Sequence, residues 1–179
     1  MPPIETRIGD SRREPWALWI LIAVLLLLRI VATAWEQHHP PASRDLVHWV
    51  PFAHAVTMSQ RTGKPILYDF TADWCQPCQT LQREVFCSAR WANRVDGEFV
   101  PVRILDRTRE DGSNASAVDS LRSVFAVVAF PTLVIYSPTS GRHFTRAGFG
   151  EADSTTNWLM MTAMRERISQ MLPPPSIRP

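Results

Sequence analysis

Tyr68-Asp-Phe-Thr-Ala-Asp-Trp-Cys-Gln-Pro-Cys78 is the stretch that decides how this 179-residue chain is read. Its first half continues Pro65-Ile-Leu, a short β-rich run after Gly63 that is expected to form a buried central strand over 65–71. Its second half places two cysteines three apart, where the strand hands over to a helix. Two intervening residues let one helical turn bring both sulfurs within disulfide reach. Cys75 falls at the helix N-terminus, where unpaired N–H groups and the positive end of the helix dipole favour a thiolate. It is therefore expected to be the acidic, exposed nucleophile, with Cys78, one turn in, as the shielded resolving thiol. Pro77 in the first turn costs no helix hydrogen bond, because the N–H it lacks would have no partner there.

Working outward, residues 45–61 read as a helix, with Leu46, Trp49, Val50, Ala53 and Val56 apolar, Pro51 in its first turns and a stop at Gly63. After the cysteines the spacing predicts one helix over 75–94, with Leu81, Val85 and Ala89 facing inward. A second strand follows at 99–105, then a polar loop to 116 and a helix over 117–125. Strands at 132–136 and 142–147 flank a turn at 137–141. A closing helix over 151–172 would bury Trp158, Leu159, Ala163, Ile168 and Leu172. Helices alternating with strands, then a strand hairpin and a last helix, make an α/β layered pattern.

Trp74-Cys-x-x-Cys78 after a strand, and Pro131 of Phe130-Pro131-Thr132 just before another strand, resemble the thioredoxin superfamily. The resemblance covers roughly 46–171 and implies a central mixed sheet flanked by helices. It implies that Cys75 and Cys78 form a redox-active disulfide, that Pro131 has a cis peptide bond facing them, and that Asp69 is a buried acid assisting proton transfer to Cys78. Gly148 matches a glycine that lets a substrate backbone approach. Trp74, Phe130, Pro131, Thr132 and Gly148 are thus the expected partner-binding residues. Three further stretches, Gly63-Lys-Pro-Ile-Leu67, Ala72-Asp-Trp-Cys75 and Glu84-Val-Phe86, resemble the C-terminal periplasmic domain of bacterial transmembrane thiol:disulfide interchange reductases. That likeness implies reduction of disulfide-containing periplasmic proteins, with electrons from a membrane donor of the thiol:disulfide interchange type. Gln76-Pro77 and Phe130 depart from thioredoxin itself at positions that touch substrate. No histidine lies between the cysteines, which points to a reducing couple.

The first 35 residues set the expected compartment. Residues 1–14 are polar, with Arg7, Arg12 and Arg13. Residues 15–35 are almost wholly apolar, and a helix of that length rises ~30 Å, enough for a bilayer core. Trp16, Trp19 and Trp35 suit the two interfaces, and the long stem of Arg29 can snorkel. Only Arg44 follows within ~15 residues, so the N-terminus is expected in the cytoplasm and the rest of the chain in the periplasm. The same letters also fit a signal peptide cut after Ala34. Residues 36–44 read as a linker, 45–172 as the thioredoxin-like domain and 173–179 as a proline-rich tail. The His38-His39 pair is read as part of that solvated linker.

The composition excludes other classes. Three cysteines cannot make a disulfide scaffold, and no Cys/His array has zinc-finger spacing. A net charge of +2 from 19 basic and 17 acidic residues offers no nucleic-acid surface. Nothing in the sequence calls for a cofactor or a metal. Cys87, two and a half turns beyond Cys78, is out of disulfide reach of the pair unless the helix breaks near Phe86, and is read as a bystander. Two other readings stay open on the same fold: a copper metallochaperone using Cys75, Cys78 and a histidine, and a redox-inert adaptor.

Overall fold

The computed structural model describes residues 15–38 and 44–171, with side chains for 16–34 and 44–171. The expected segments at 1–14 and 173–179, the central part of the expected linker (39–43), and Leu172 lie outside the described residues.

Two units are present. In the first, α1 (Pro15–His38) continues three residues past the expected end of the apolar run. Its stretch Trp16–Ala34 is long and apolar enough to cross a membrane, and its side chains are exposed throughout.

The second unit is built on four strands: β1 (Ile66–Ala72), β2 (Val100–Asp106), β3 (Thr132–Tyr136) and β4 (His143–Ala147). Their order is β2-β1-β3-β4, with β1 and β2 parallel and β3 antiparallel to both β1 and β4. Asp69 lies opposite Arg103 on one side and Leu133 on the other. Period-two alternation divides the sheet's side chains between two cores. Ile66, Tyr68, Phe70 and Val134 pack with Val102 and Phe125. Leu67, Leu133 and Ile135 face the other way, against Leu81, Val85, Phe86 and Leu159. The resemblance to a thioredoxin-like mixed sheet flanked by helices therefore holds.

Four expectations differ from what is found. The helix predicted over 45–61 begins only at Phe52 (α2, Phe52–Thr62). Proline disfavours helical backbone in the residue before it, and the stretch 44–51 is irregular, with a bend at Val47 and the Val50 N–H donating to the Pro101 carbonyl at 2.8 Å. The expected stop is present: Gly63 takes φ +69° and its N–H donates to the Ser59 carbonyl, a left-handed cap that glycine takes without a Cβ penalty.

The helix predicted over 75–94 is broken. α3 (Gln76–Leu81) widens into a π-helical turn over Gln82–Phe86, and α4 restarts at Ala89–Glu98. The Cys87 N–H reaches back to the Gln82 carbonyl at 2.8 Å, while the Phe86 carbonyl accepts from Leu46 instead of continuing the helix. The predicted polar loop holds a short helix, α5 (Thr108–Asp111), and α6 spans Ser116–Val124.

The last helix, α7 (Ala152–Met171), buries a different face from the expected one. Leu159 and Ala163 point inward as predicted, together with Thr155, Thr156, Thr162 and Glu166. Trp158 is half-buried and Ile168 is exposed.

Candidate active site

Cys75 is the residue before α3, with extended backbone (φ −84°, ψ 102°). From there its Sγ accepts the Cys78 N–H at 3.2 Å, one of the helix-start donors that have no partner within the helix. Pro77 sits in the first turn. The two sulfurs are bonded, with Cα atoms 5.2 Å apart. The expected contrast in exposure is absent. Cys75 is 3% exposed and Cys78 5%, and Phe130 packs against the small cluster they form with Ala72. In the oxidised state Cys75 is therefore as covered as Cys78.

That ring belongs to a rim. The edge of Trp74, itself 40% exposed, meets Phe130 with centroids 6.0 Å apart. The Arg109 guanidinium lies over the other ring of the pair, 3.8 Å from the Trp74 centroid, a distance at which cation–π attraction operates. The Phe130–Pro131 peptide bond is cis. The Pro131 carbonyl accepts from the Gly148 N–H at 2.7 Å, and Gly148, with φ +80°, has open space where a side chain would stand. Thr132 is different from its expected role. It is 2% exposed and its hydroxyl donates to the Ala129 carbonyl at 2.7 Å, so its side chain fixes the turn before Pro131 and does not face a partner.

Below the disulfide, Asp69 and Cys78 line one cleft of about 410 Å3, with Asp73, Gln82 and Arg103. Asp69 is buried, and its Oδ1 has no hydrogen-bond partner among the described residues. Its Oδ2 accepts from Arg103 Nε at 3.3 Å. Burial pushes the Asp69 pKa up, and the Arg103 charge and hydrogen bond pull it back only in part, leaving it at about 6 against an ordinary 3.8. A carboxyl at that value exchanges a proton near neutral pH.

Arg103 and Asp45 are the residues that sequence reasoning missed. Arg103 Nη1 donates to Asp45 Oδ2 at 2.6 Å, and Trp49 Nε1 donates to the same oxygen at 2.7 Å. The signal for Arg103 was present: one cation inside the apolar run Phe99-Val-Pro-Val-Arg-Ile-Leu105 requires a buried anion nearby. Asp45 carried no such signal, because a helix over 45–61 would have turned it elsewhere. Cys87 is a free, half-buried thiol. Among the described residues no three His, Cys, Asp or Glu side chains gather that could hold a metal.

Comparison with known proteins agrees with this geometry. A family model described as thioredoxin-like matches residues 48–138. The chain is 31% identical over 135 residues to the thiol:disulfide interchange protein DsbD of Actinobacillus pleuropneumoniae serotype 5b (strain L20), covering 70% of this chain and 22% of that protein. It is 25% identical over 132 residues to the thioredoxin-related protein DsbJ of Chlamydia pneumoniae, covering 72% and 38%. The chain thus spans well under half the length of either relative. Among solved structures, a DsbH oxidoreductase matches with a TM-score of 0.55 at 20% identity, over 70% of this chain and 89% of that one; this likeness is one of fold.

Proposed function

The chain belongs to the thioredoxin-like family, and we propose that it is a membrane-tethered thiol-disulfide oxidoreductase that reduces disulfides in periplasmic partner proteins. The observation that carries this reading is the Cys75–Cys78 disulfide at the start of α3, set above a buried acid whose proton affinity is raised.

The chemistry starts from the dithiol. The Cys75 thiolate attacks one sulfur of a partner disulfide; a Cys75–partner bond forms and the second partner sulfur leaves as a thiolate. Cys78 then passes its proton to Asp69 and attacks Cys75 Sγ. The Cys75–Cys78 bond closes, the mixed disulfide breaks, and the first partner sulfur leaves as a thiolate. Two electrons have moved to the partner, whose two thiolates take up protons from water and from Asp69. A dithiol donor in the membrane, of the thiol:disulfide interchange type, restores the reduced chain by the reverse exchange. Trp74, Phe130, Pro131 and Gly148 form the rim that receives the partner backbone.

In this reading 1–14 is cytoplasmic, 15–35 a single-pass anchor in the inner membrane, 36–44 a linker, 45–172 the periplasmic catalytic domain and 173–179 a tail. Arg7, Arg12 and Arg13 before the apolar segment, against Arg44 alone soon after it, support that orientation. The test is insulin-disulfide reduction by the full chain in detergent with a chemical dithiol as donor. Cys75→Ser is expected to abolish turnover; undiminished activity in that variant would refute the assignment.

A further inference from the structure

Arg103 is shared unequally between two carboxylates. Its shorter bond, 2.6 Å, goes to Asp45, and its longer one, 3.3 Å, to Asp69. Asp45 is well held: Val47 N–H donates to its Oδ1 and Trp49 Nε1 to its Oδ2, while the Trp49 ring lies 4.1 Å from the guanidinium. Asp69 is poorly held, with one buried oxygen unpartnered. A bidentate guanidinium pair on Asp69 would make it a strong acid and so a weak base. The segment before α2 prevents that pair by drawing the cation away.

We propose that Asp45 is a positioning residue for the exchange reaction: by holding Arg103 it keeps Asp69 basic enough to accept the Cys78 proton. The proposal rests on the reading of Asp69 as that acceptor. In the step concerned, Cys78 Sγ–H gives its proton to Asp69, a Cys78–Cys75 bond forms, and the Cys75–partner bond breaks with the electron pair leaving on the partner sulfur. The charged and titratable groups around Asp69 are Arg103 from β2, Asp45 from the segment before α2, Cys78 from α3, and Asp73, which lines the same cleft. Asp73 is 60% exposed and paired with Arg107, so solvent screens it. Removing the Asp45 charge leaves Arg103 to Asp69 alone and lowers its proton affinity. Removing the Arg103 charge raises it.

The experiment follows the closing of the Cys75–Cys78 bond in the reduced full chain after mixing with oxidised glutathione, by acid quench and mass of the mixed disulfide, from pH 4 to 9. The wild-type rate is expected to fall below about pH 6. Asp45→Asn should move that falling limb down by roughly half a unit to one unit, and Arg103→Met should move it up by about one unit or more. Asp45→Glu should keep the wild-type limb. A merely structural role slows the reaction without moving the limb, so an unmoved limb, or shifts of the same sign, would overturn the proposal. Either charge-removing variant decides it if the other does not fold. Asp69→Asn separates the two levels: a limb that persists there defeats the acceptor reading itself, whereas a limb lost there but unmoved in Asp45→Asn defeats only the role of Asp45.

Discussion

Two buried carboxylates, Asp69 and Glu166, differ in how well their surroundings hold them. Glu166 of α7 accepts from Ser140 and from the Arg142 guanidinium, both from the turn between β3 and β4. Asp69 of β1 has one long contact to an arginine that is committed elsewhere. Burial pushes both groups up. For Glu166 the hydrogen bonds from Arg142 and Ser140 and the Arg142 charge outweigh it, and the group is held below the ordinary glutamate range. For Asp69 they do not, and it stays at about 6. A satisfied buried acid ties elements together; a half-satisfied one stores a proton-accepting site at a cost in stability.

The two acids therefore contribute to stability with opposite signs. Asp69 ionises near 3.8 in the unfolded chain and near 6 in the folded one. The native state binds the extra proton between those values, so stability falls as pH rises through that window and is level above it. Glu166 holds its charge better when folded, so its contribution is present above its ordinary range and is lost as pH falls through its lowered value.

The largest effect is expected at Arg142. Arg142→Met strands the Glu166 charge, whose side chain is 1% exposed, and should cost about 3–4 kcal/mol in denaturant unfolding. A loss under about 1 kcal/mol would mean that Glu166 is not held by this pair. Next, Asp69→Asn should stabilise the domain at pH 7 by about 3 kcal/mol and remove the fall in stability between pH 4 and 6. The same variant should slow the Cys78 step by about 100-fold or more. A domain that is both less stable and equally fast would erase the distinction between the two acids. Glu166→Gln is expected to cost about 1–2 kcal/mol, because Arg142 is half-exposed and rehydrates, with no change in exchange rate. The smallest effect is at Thr132, another buried polar group with its partner in place. Thr132→Val should cost about 1 kcal/mol in thermal or denaturant unfolding and leave the exchange rate intact.

Most of what was legible in the sequence was local. β3 falls where its β-rich run predicts, and β1 and β2 are displaced by one residue. The cysteine pair at a strand-to-helix junction was legible for the same reason, since strand, turn chemistry and spacing lie within eleven residues. What failed depended on distant partners. The break at Cys87 arises because Leu46, forty residues earlier, takes the Phe86 carbonyl. The buried face of α7 looked polar because Thr156 satisfies its hydroxyl on the Ala152 carbonyl and Glu166 finds Arg142 across the fold. Met161, Met164 and Ile168 meanwhile stand outside. In the site, Asp69 was found through the family resemblance, but Arg103 and Asp45 come together only through strand register and the non-helical path of 44–51.

In the proposed exchange Cys75 attacks and Cys78 resolves. Cys78→Ser in the full chain, reduced and mixed with insulin, tests it most directly by mass spectrometry of the adducts. The expected product is a stable mixed disulfide carried by Cys75 alone, with Cys87 unmodified. An adduct carried by Cys87, or no adduct while wild-type protein reduces insulin, would rule out Cys75 as the attacking thiol.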